Sequence, residues 1–505
     1  MTARNMAKNK AVPEPIRPVI DNHLIYWFLA IILMTLLAFS NAFGNKFVNW
    51  DDEFYIYGNP LITDLSWNGL KAMFSSFYAG NYHPLVTLSN AIEYKFVGLD
   101  PFLYHLVNIF IHVANAVLVF LLIHKLTNEA LVAGFVALFF AVHPMHVESV
   151  TWVSERKDVL YSCFYLTSLL FYMDYSKSGN KKLLLISLLF FILSLFSKSM
   201  AVTLPVLLCA FDYVGNKKFE RRLLVEKIPF FICSLIFGII AIKSQGGAEN
   251  KALEVFANEH YHVWDRFLTV CYGFVYYIFQ LFVPINLCAV HNFPAKTNGL
   301  LPFYYYFSPF ALLLIGYYLY RNKTDKWMVF GFLFYVITLA VVAQLVPVGT
   351  NIVSERYSYI PYIGLLLVIG MFLKKYMART PVKIGVTLLL AVCMLLTFQR
   401  NKVWKNSISF WNDVIEKYPK MSFAYNTRGT AFYENKNYEA ALRDFDKAIQ
   451  LCPGKLKEDL STAYVNRGNT LYYLTKIEQA CSDWKKAIEL GNNSTEPYIK
   501  ELCKP

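Results

Sequence analysis

The chain has 505 residues, 56% hydrophobic and only 16% charged, which excludes an ordinary water-soluble protein of this length and indicates many bilayer spans. Its formal charge of +13 does not point to nucleic acid, because Lys and Arg gather in short loops between apolar runs, the pattern of membrane orientation. The nine cysteines form no C-x-x-C and no His-Cys cluster, so neither a zinc site nor a redox motif is expected; Cys452, Cys481 and Cys503 in the tail carry no signal.

Arg4, Lys8, Lys10 and Arg17 in the tail of residues 1–23 keep the N-terminus cytoplasmic. Apolar runs of spanning length then begin at Leu24–Phe43, Phe102–Ile123, Leu131–Val142 and Val159–Asp174. They continue with Leu183–Phe196, Ala201–Val214, Ile228–Ile242 and Phe267–Val283. Phe303–Tyr320, Trp327–Val346, Tyr357–Leu373 and Val382–Phe398 complete the series. A bilayer core takes ~20 helical residues, so the shorter runs must recruit flanking aromatics or tilt. The first run reads as an anchor, although "SNA" at Ser40–Ala42 also fits a cleavage site. Either way Asp51 lies on the far side.

The basic loops "SKSGNKK" (Ser176–Lys182) and "NKKFERRLLVEK" (Asn216–Lys227) fit strict alternation. The later "YRNKTDK" and "KKYMARTPVK" fit only if one run between Lys227 and Arg321 fails to cross. Phe267–Val283, rich in Tyr, is the expected re-entrant or interfacial helix. The expectation is an all-α, polytopic bundle over residues 24–400 with eleven crossings and the C-terminus outside.

After Phe398 the sequence turns charged and helical. "AYNTRGTAFYENKNYEAALRDFDKAIQLCP" and "AYVNRGNTLYYLTKIEQACSDWKKAIELGN" align Gly429 with Gly468, Ala441 with Ala480 and Ala448 with Ala487. Small residues where paired helices touch are the tetratricopeptide pattern. Residues 401–505 therefore read as a short α-solenoid, with a half-repeat at 407–419 and repeats at about 422–453 and 461–492.

With this topology the outside loops mix carboxylates, histidines, cations and tyrosines, whereas the cytoplasmic loops are simply basic. Loop one holds "NWDDEFYIYGNP" with Asp51, Asp52 and Asn59, then "NYHPL" with His83. The next holds His143, His146, Glu148, Arg156 and Asp158; two short ones hold Lys198, and Glu355, Arg356 and Tyr359. Ionisable groups near membrane depth are costly, so their convergence on one side suggests a site. Glycosyl transfer from a lipid-linked phosphate sugar needs such a set. A carboxylate takes the proton of the acceptor hydroxyl, and Lys or Arg receives the charge growing on a polyprenyl phosphate. Each element also has a plainer reading. "WDDE" alone is a solvated loop, Lys198 and Arg356 snorkel from helix ends, and His143 with His146 lacks a third metal ligand. The sequence requires no cofactor, and a divalent metal is not supported.

These residues resemble the GT-C-type membrane glycosyltransferases, and within them the transmembrane and tetratricopeptide-repeat mannosyltransferases and their bacterial relatives. The motifs are Asp51, Asp52, Ile56 and Asn59; "YHPL" at Tyr82–Leu85; and "YHLVNIFIH" at Tyr104–His112. "HP-x-H-x-E" with "R-x-D" follows at His143, Pro144, His146, Glu148, Arg156 and Asp158, then Lys198, then Glu355, Arg356, Tyr359 and Pro361. The resemblance implies a polyprenyl-phosphate monosaccharide donor, extracytoplasmic transfer and inversion at the anomeric carbon. It implies Asp51 as base with Asp52 positioning the acceptor or sharing the role, and Lys198, Arg356 and Arg156 on the donor phosphate. Asn59, His83, His143, His146, Glu148, Asp158, Glu355 and Tyr359 would bind or position substrate. His83 stands where relatives carry Arg, and the repeat array is short. Composition and array length suggest a bacterial inner membrane and undecaprenyl phosphate. The implied partners are the donor, membrane lipid and an acceptor protein or glycan, with no nucleic acid. A non-catalytic scaffold presenting the repeats is the alternative.

Overall fold

The computed structural model describes residues 22–215, 220–245, 261–294, 296–343, 351–452 and 456–503. The expected N-terminal tail lies outside them up to residue 21, as do residues 216–219 of the second basic loop. The described residues form helices and short helical turns, joined by three isolated β-bridges. A hydrocarbon environment demands this, since a helix satisfies its own backbone polar groups.

Pro101–Thr127, Arg221–Ser244 and Thr380–Lys405 are long and apolar enough to cross a membrane. Ala130–Val142 with Pro144–Thr151 makes a fourth candidate if the pair, bent by 55°, is one span. Pro144 causes the bend, because a residue before proline avoids the α region. His143 accordingly sits at φ −74°, ψ 129°, and its ring accepts the Met145 amide at 3.3 Å. Leu24–Ala38, Ser199–Val214, Lys326–Ala340 and Pro361–Lys374 are apolar but shorter. The run expected over Trp327–Val346 is helical to Ala340, and its last residues, 344–346, lie outside the described ones. Large side chains such as Leu235, Ile242 and Leu388 stay exposed on the long helices, as lipid contact requires.

Helix ends gather at two poles. At one, Lys125 pairs with Asp174 and Lys374 with Glu129, both at 2.6 Å. At the other, Asn41 donates to the Phe398 carbonyl at 2.7 Å, and Asn401 donates to Ala38 at 2.9 Å. Thr151 donates to Asn401 at 2.5 Å beside them. The stretch between the helices Asn22–Ala38 and Pro101–Thr127 is a folded layer at this second pole, not a plain loop. It contains Glu53–Tyr57, Pro60–Thr63, Trp67–Ser75 and Pro84–Val97 as helical elements.

The helix Val263–Phe282 is tied at both ends. Leu281 accepts from the His143 ring at 3.2 Å, and Lys296 pairs with Asp265 at 2.7 Å. Chain following the helix therefore runs back along it to its start.

The C-terminal helices pair as expected, Ser422–Glu434 on Tyr438–Leu451 and Lys457–Tyr473 on Ile477–Glu489. A Cβ on Gly429 would lie 2.7 Å from the Phe445 ring, and one on Gly468 2.6 Å from Trp484. This close helix approach explains both glycines. Arg428 and Arg467 each grip an aspartate bidentately, Asp444 and Asp483, at the same offset. The tail cysteines need correction: Cys481 and Cys503 form a disulfide. Their separation of 22 residues matches no motif. Only the docking of Glu496–Leu502 against the last repeat brings them together.

Candidate functional site

The pole that holds the repeats also collects the acidic and basic loops. The two first-loop aspartates have different fates there. Asp52 is buried, and its carboxylate accepts from the Val48 amide at 2.8 Å, the Ser154 amide at 3.0 Å and the Ser154 hydroxyl at 2.5 Å. Asp52 thus fastens the first loop to the second. Burial pushes its pKa up to about 6 against those three hydrogen bonds.

Asp51 is half-buried, and among the described residues no group donates a hydrogen bond to its carboxylate. Burial raises its pKa, while Lys157 and Arg356 pull it down and Glu155 adds to the rise. This carboxylate has no hydrogen-bond donor among the described residues, feels the charge of two cations and holds its proton more tightly than a free aspartate.

Around it lies an ionic layer. Glu155 is the hub: Lys157 and Lys198 each reach it at 3.2 Å, and the Arg356 Nε at 3.3 Å. Burial raises the Glu155 pKa, but the three cations outweigh that and hold the acid well below the usual carboxylate range. Lys198 also pairs with Asp158 at 2.5 Å, and Ser149 donates to the other Asp158 oxygen at 3.0 Å. Glu148 takes the Arg356 guanidinium on one oxygen and the Arg356 amide, at 3.0 Å, on the other. The Lys157 amine sits 4.8 Å from the centre of the Tyr55 ring. Lys157 and Glu155 were missed from sequence, because the matched motif picks the flanking Arg156 and Asp158. Successive residues on a helix start point about 100° apart, and nothing in "SERKD" says which cation faces the site.

Other expected residues lie elsewhere. Arg156 is fully buried. Its guanidinium binds Glu93 with two nitrogens, Asn108, the Ser89 hydroxyl at 2.8 Å and the Tyr104 carbonyl at 2.8 Å. That leaves it no free donor for a phosphate, contrary to the expectation. His143 and His146 sit in the helical core, each with a ring nitrogen on a backbone carbonyl, Leu281 at 3.2 Å and Phe140 at 2.8 Å. Tyr359 is buried there too, bonded to His112 at 2.7 Å and Asn115 at 3.1 Å. Asn59 pins its own turn, accepting from Leu61 at 3.0 Å and donating to Tyr55 at 3.2 Å. Glu355 pairs with Arg400 at 3.1 Å, which continues to Asp413 at 2.9 Å. His83 lines a small cavity with Tyr55, Asn81, Asn90 and Lys157. Burial lowers its pKa far below 6.5, helped by Lys157 and Lys198, so it is neutral and supplies no charge to a phosphate.

Asp52 yields a pH prediction. Its folded pKa of about 6 exceeds the ordinary 3.8, so the folded state binds the proton more tightly than the unfolded one. The associated stability is present below pH 3.8 and is lost as pH rises through about 6. Thermal melts of the full chain between pH 4 and 7 should show this component in the wild type and lose it in Asp52→Asn.

A tetratricopeptide-repeat family profile matches residues 422–455. A protein O-mannosyl-transferase of Caenorhabditis elegans is 24% identical over 454 residues, 84% of this chain and 62% of its own length. Protein O-mannosyl-transferase TMTC3 of Homo sapiens is 23% identical over 412 residues, 74% of this chain and 45% of its own. Human TMTC1 is 22% identical over 484 residues, 83% of this chain and 54% of its own. The chain thus spans between about half and three fifths of these relatives' length. Similarity at this level over most of the chain, with the repeat in place, makes it a homologue of the TMTC protein O-mannosyl-transferases.

Proposed function

We propose that this chain is a membrane glycosyltransferase that moves a monosaccharide from a polyprenyl-phosphate donor to an acceptor hydroxyl, with Asp51 as base. The observation that carries the reading is the half-buried Asp51 carboxylate, which takes no hydrogen bond from the described residues and lies in the field of Lys157 and Arg356. The acceptor proton passes to Asp51 as the hydroxyl oxygen bonds to the anomeric carbon. The bond from that carbon to the phosphate oxygen breaks, and its electron pair leaves with the polyprenyl phosphate, inverting the centre. Lys157, Lys198 and Arg356 stabilise that leaving charge. Four carboxylates, Asp51, Glu148, Glu155 and Asp158, already face these three cations. Donor phosphate therefore enters by displacing an existing ion pair, and Lys157, whose one ion pair among the described residues is with Glu155, gives way first. The relatives' name puts mannose and a protein acceptor within the proposal. A non-catalytic scaffold gives no reason for a carboxylate left open among cations.

The proposal includes an extracytoplasmic site and eleven crossings within residues 24–400, followed by the repeat domain. The Cys481–Cys503 disulfide supports an oxidising compartment for the repeats, and the first loop contacts them directly. The two tied ends of Val263–Phe282 support its lying along the interface. Full-length protein in liposomes with polyprenyl-phosphate sugars tests the reaction. Lys157→Met should lower transfer ~10²–10³-fold and weaken polyprenyl phosphate binding. Unchanged transfer and binding in that variant would remove Lys157 from the donor site.

A further inference from the structure

Asn49 makes the side-chain hydrogen bonds that tie the reaction loop to the repeats. Asn49 is 7% exposed and makes three hydrogen bonds, all into the C-terminal segment. Its amide donates to Ser407 Oγ at 2.9 Å, its Nδ2 to the Thr427 carbonyl at 3.0 Å, and its Oδ1 accepts from Trp411 Nε1 at 2.9 Å. The next residue, Trp50, stacks on Trp152 at 5.0 Å and packs against Phe410 at 5.2 Å. Trp152 stacks in turn on Trp404 at 5.4 Å. The Trp152 ring also lies 5.7 Å from the Arg356 guanidinium and 5.9 Å from the Lys157 amine. The loop backbone is therefore held on both sides of Asp51, by the repeats through Asn49 and Trp50 and by Ser154 through Asp52. Between these anchors the Asp51 side chain alone is left open.

We propose that the repeat segment is a structural part of the reaction site, with Asn49 as the positioning residue through which it places Asp51. The proposal rests on the transfer reading above. It departs from a repeat array that merely captures acceptors, because here the half-repeat Ser407–Lys417 and the first full repeat carry the reaction loop. A flexible loop would spread the carboxylate over many positions, and a displacement of ~1 Å is enough to cost ~10²-fold in rate.

The test uses full-length Asn49→Ala and Trp411→Phe in detergent; the second removes one hydrogen bond while keeping a ring in place. Hydrogen exchange of residues 45–58 is measured with polyprenyl phosphate affinity and transfer kinetics. Both variants should exchange faster in that segment and keep polyprenyl phosphate affinity within about twofold. Asn49→Ala should lower kcat ~10²-fold with KM unchanged; Trp411→Phe should do so less. The double variant should be no worse than Asn49→Ala, since the two share one bond. Wild-type kcat in Asn49→Ala, or unaltered exchange at 45–58, overturns the proposal. If the wild type transfers no sugar, the transfer reading falls, and the exchange measurement still decides the tether.

Discussion

Asp51→Asn should lower sugar transfer by ~10²–10⁴-fold, the usual contribution of a positioned base, with polyprenyl phosphate affinity within about twofold of the wild type. Asparagine keeps the shape and the open position but cannot take the acceptor proton. The wild-type rate should also rise with pH as Asp51 ionises. Its pKa stands above the ordinary value because burial outweighs the pull of Lys157 and Arg356, so the rise belongs above the free-aspartate range. Liposome assays from acid to neutral pH check both statements. Full activity in Asp51→Asn would end the proposed mechanism. Asp52→Asn should fail differently: its carboxylate holds Val48 and Ser154, and an amide nitrogen there would face a donor. That variant loosens the loop, and its loss of rate should follow faster hydrogen exchange at residues 45–58.

Arg156→Met should destabilise the fold by about 3–5 kcal/mol, the cost of leaving a buried partner unpaired. Glu93 would keep a buried charge without its guanidinium, and the Asn108 side chain and Tyr104 carbonyl would each lose a donor. Thermal unfolding in detergent reads this directly. A double variant, Arg156→Met with Glu93→Gln, should lose less than the sum of its parts, because both changes act on one pair. A normal melt with weakened polyprenyl phosphate binding would instead place Arg156 on the donor.

Much of the architecture was legible in the residues. The apolar runs predict helices because a bilayer permits little else, and Gly429 and Gly468 mark the two repeats because only glycine admits the facing rings. The convergence of the Asp51, Glu148, Lys198 and Arg356 loops follows from charge and topology, and in the structure Lys198 and Arg356 meet on Glu155. Less visible was the layer after the first apolar helix, where Trp67–Ser75 and Pro84–Val97 are helical. Short helices without a full apolar stripe leave little trace in hydropathy.

The sequence alone determined the apolar helical runs, the repeats, the kinds of ionisable group and their order along the chain, because periodicity and composition are local properties. Only the tertiary structure decided which member of each adjacent pair faces the site. Asp51 is open while Asp52 is spent on Ser154; Lys157 faces Glu155 and Tyr55 while Arg156 is spent on Glu93. Neighbouring residues share a sequence signal, but a helix turn or a tight loop points their side chains apart. The partners that use up a side chain come from far along the chain, Ser154 102 residues from Asp52 and Glu93 63 residues from Arg156. Hydrogen-bonding capacity is finite, so a residue saturated by such a partner has none left for a substrate.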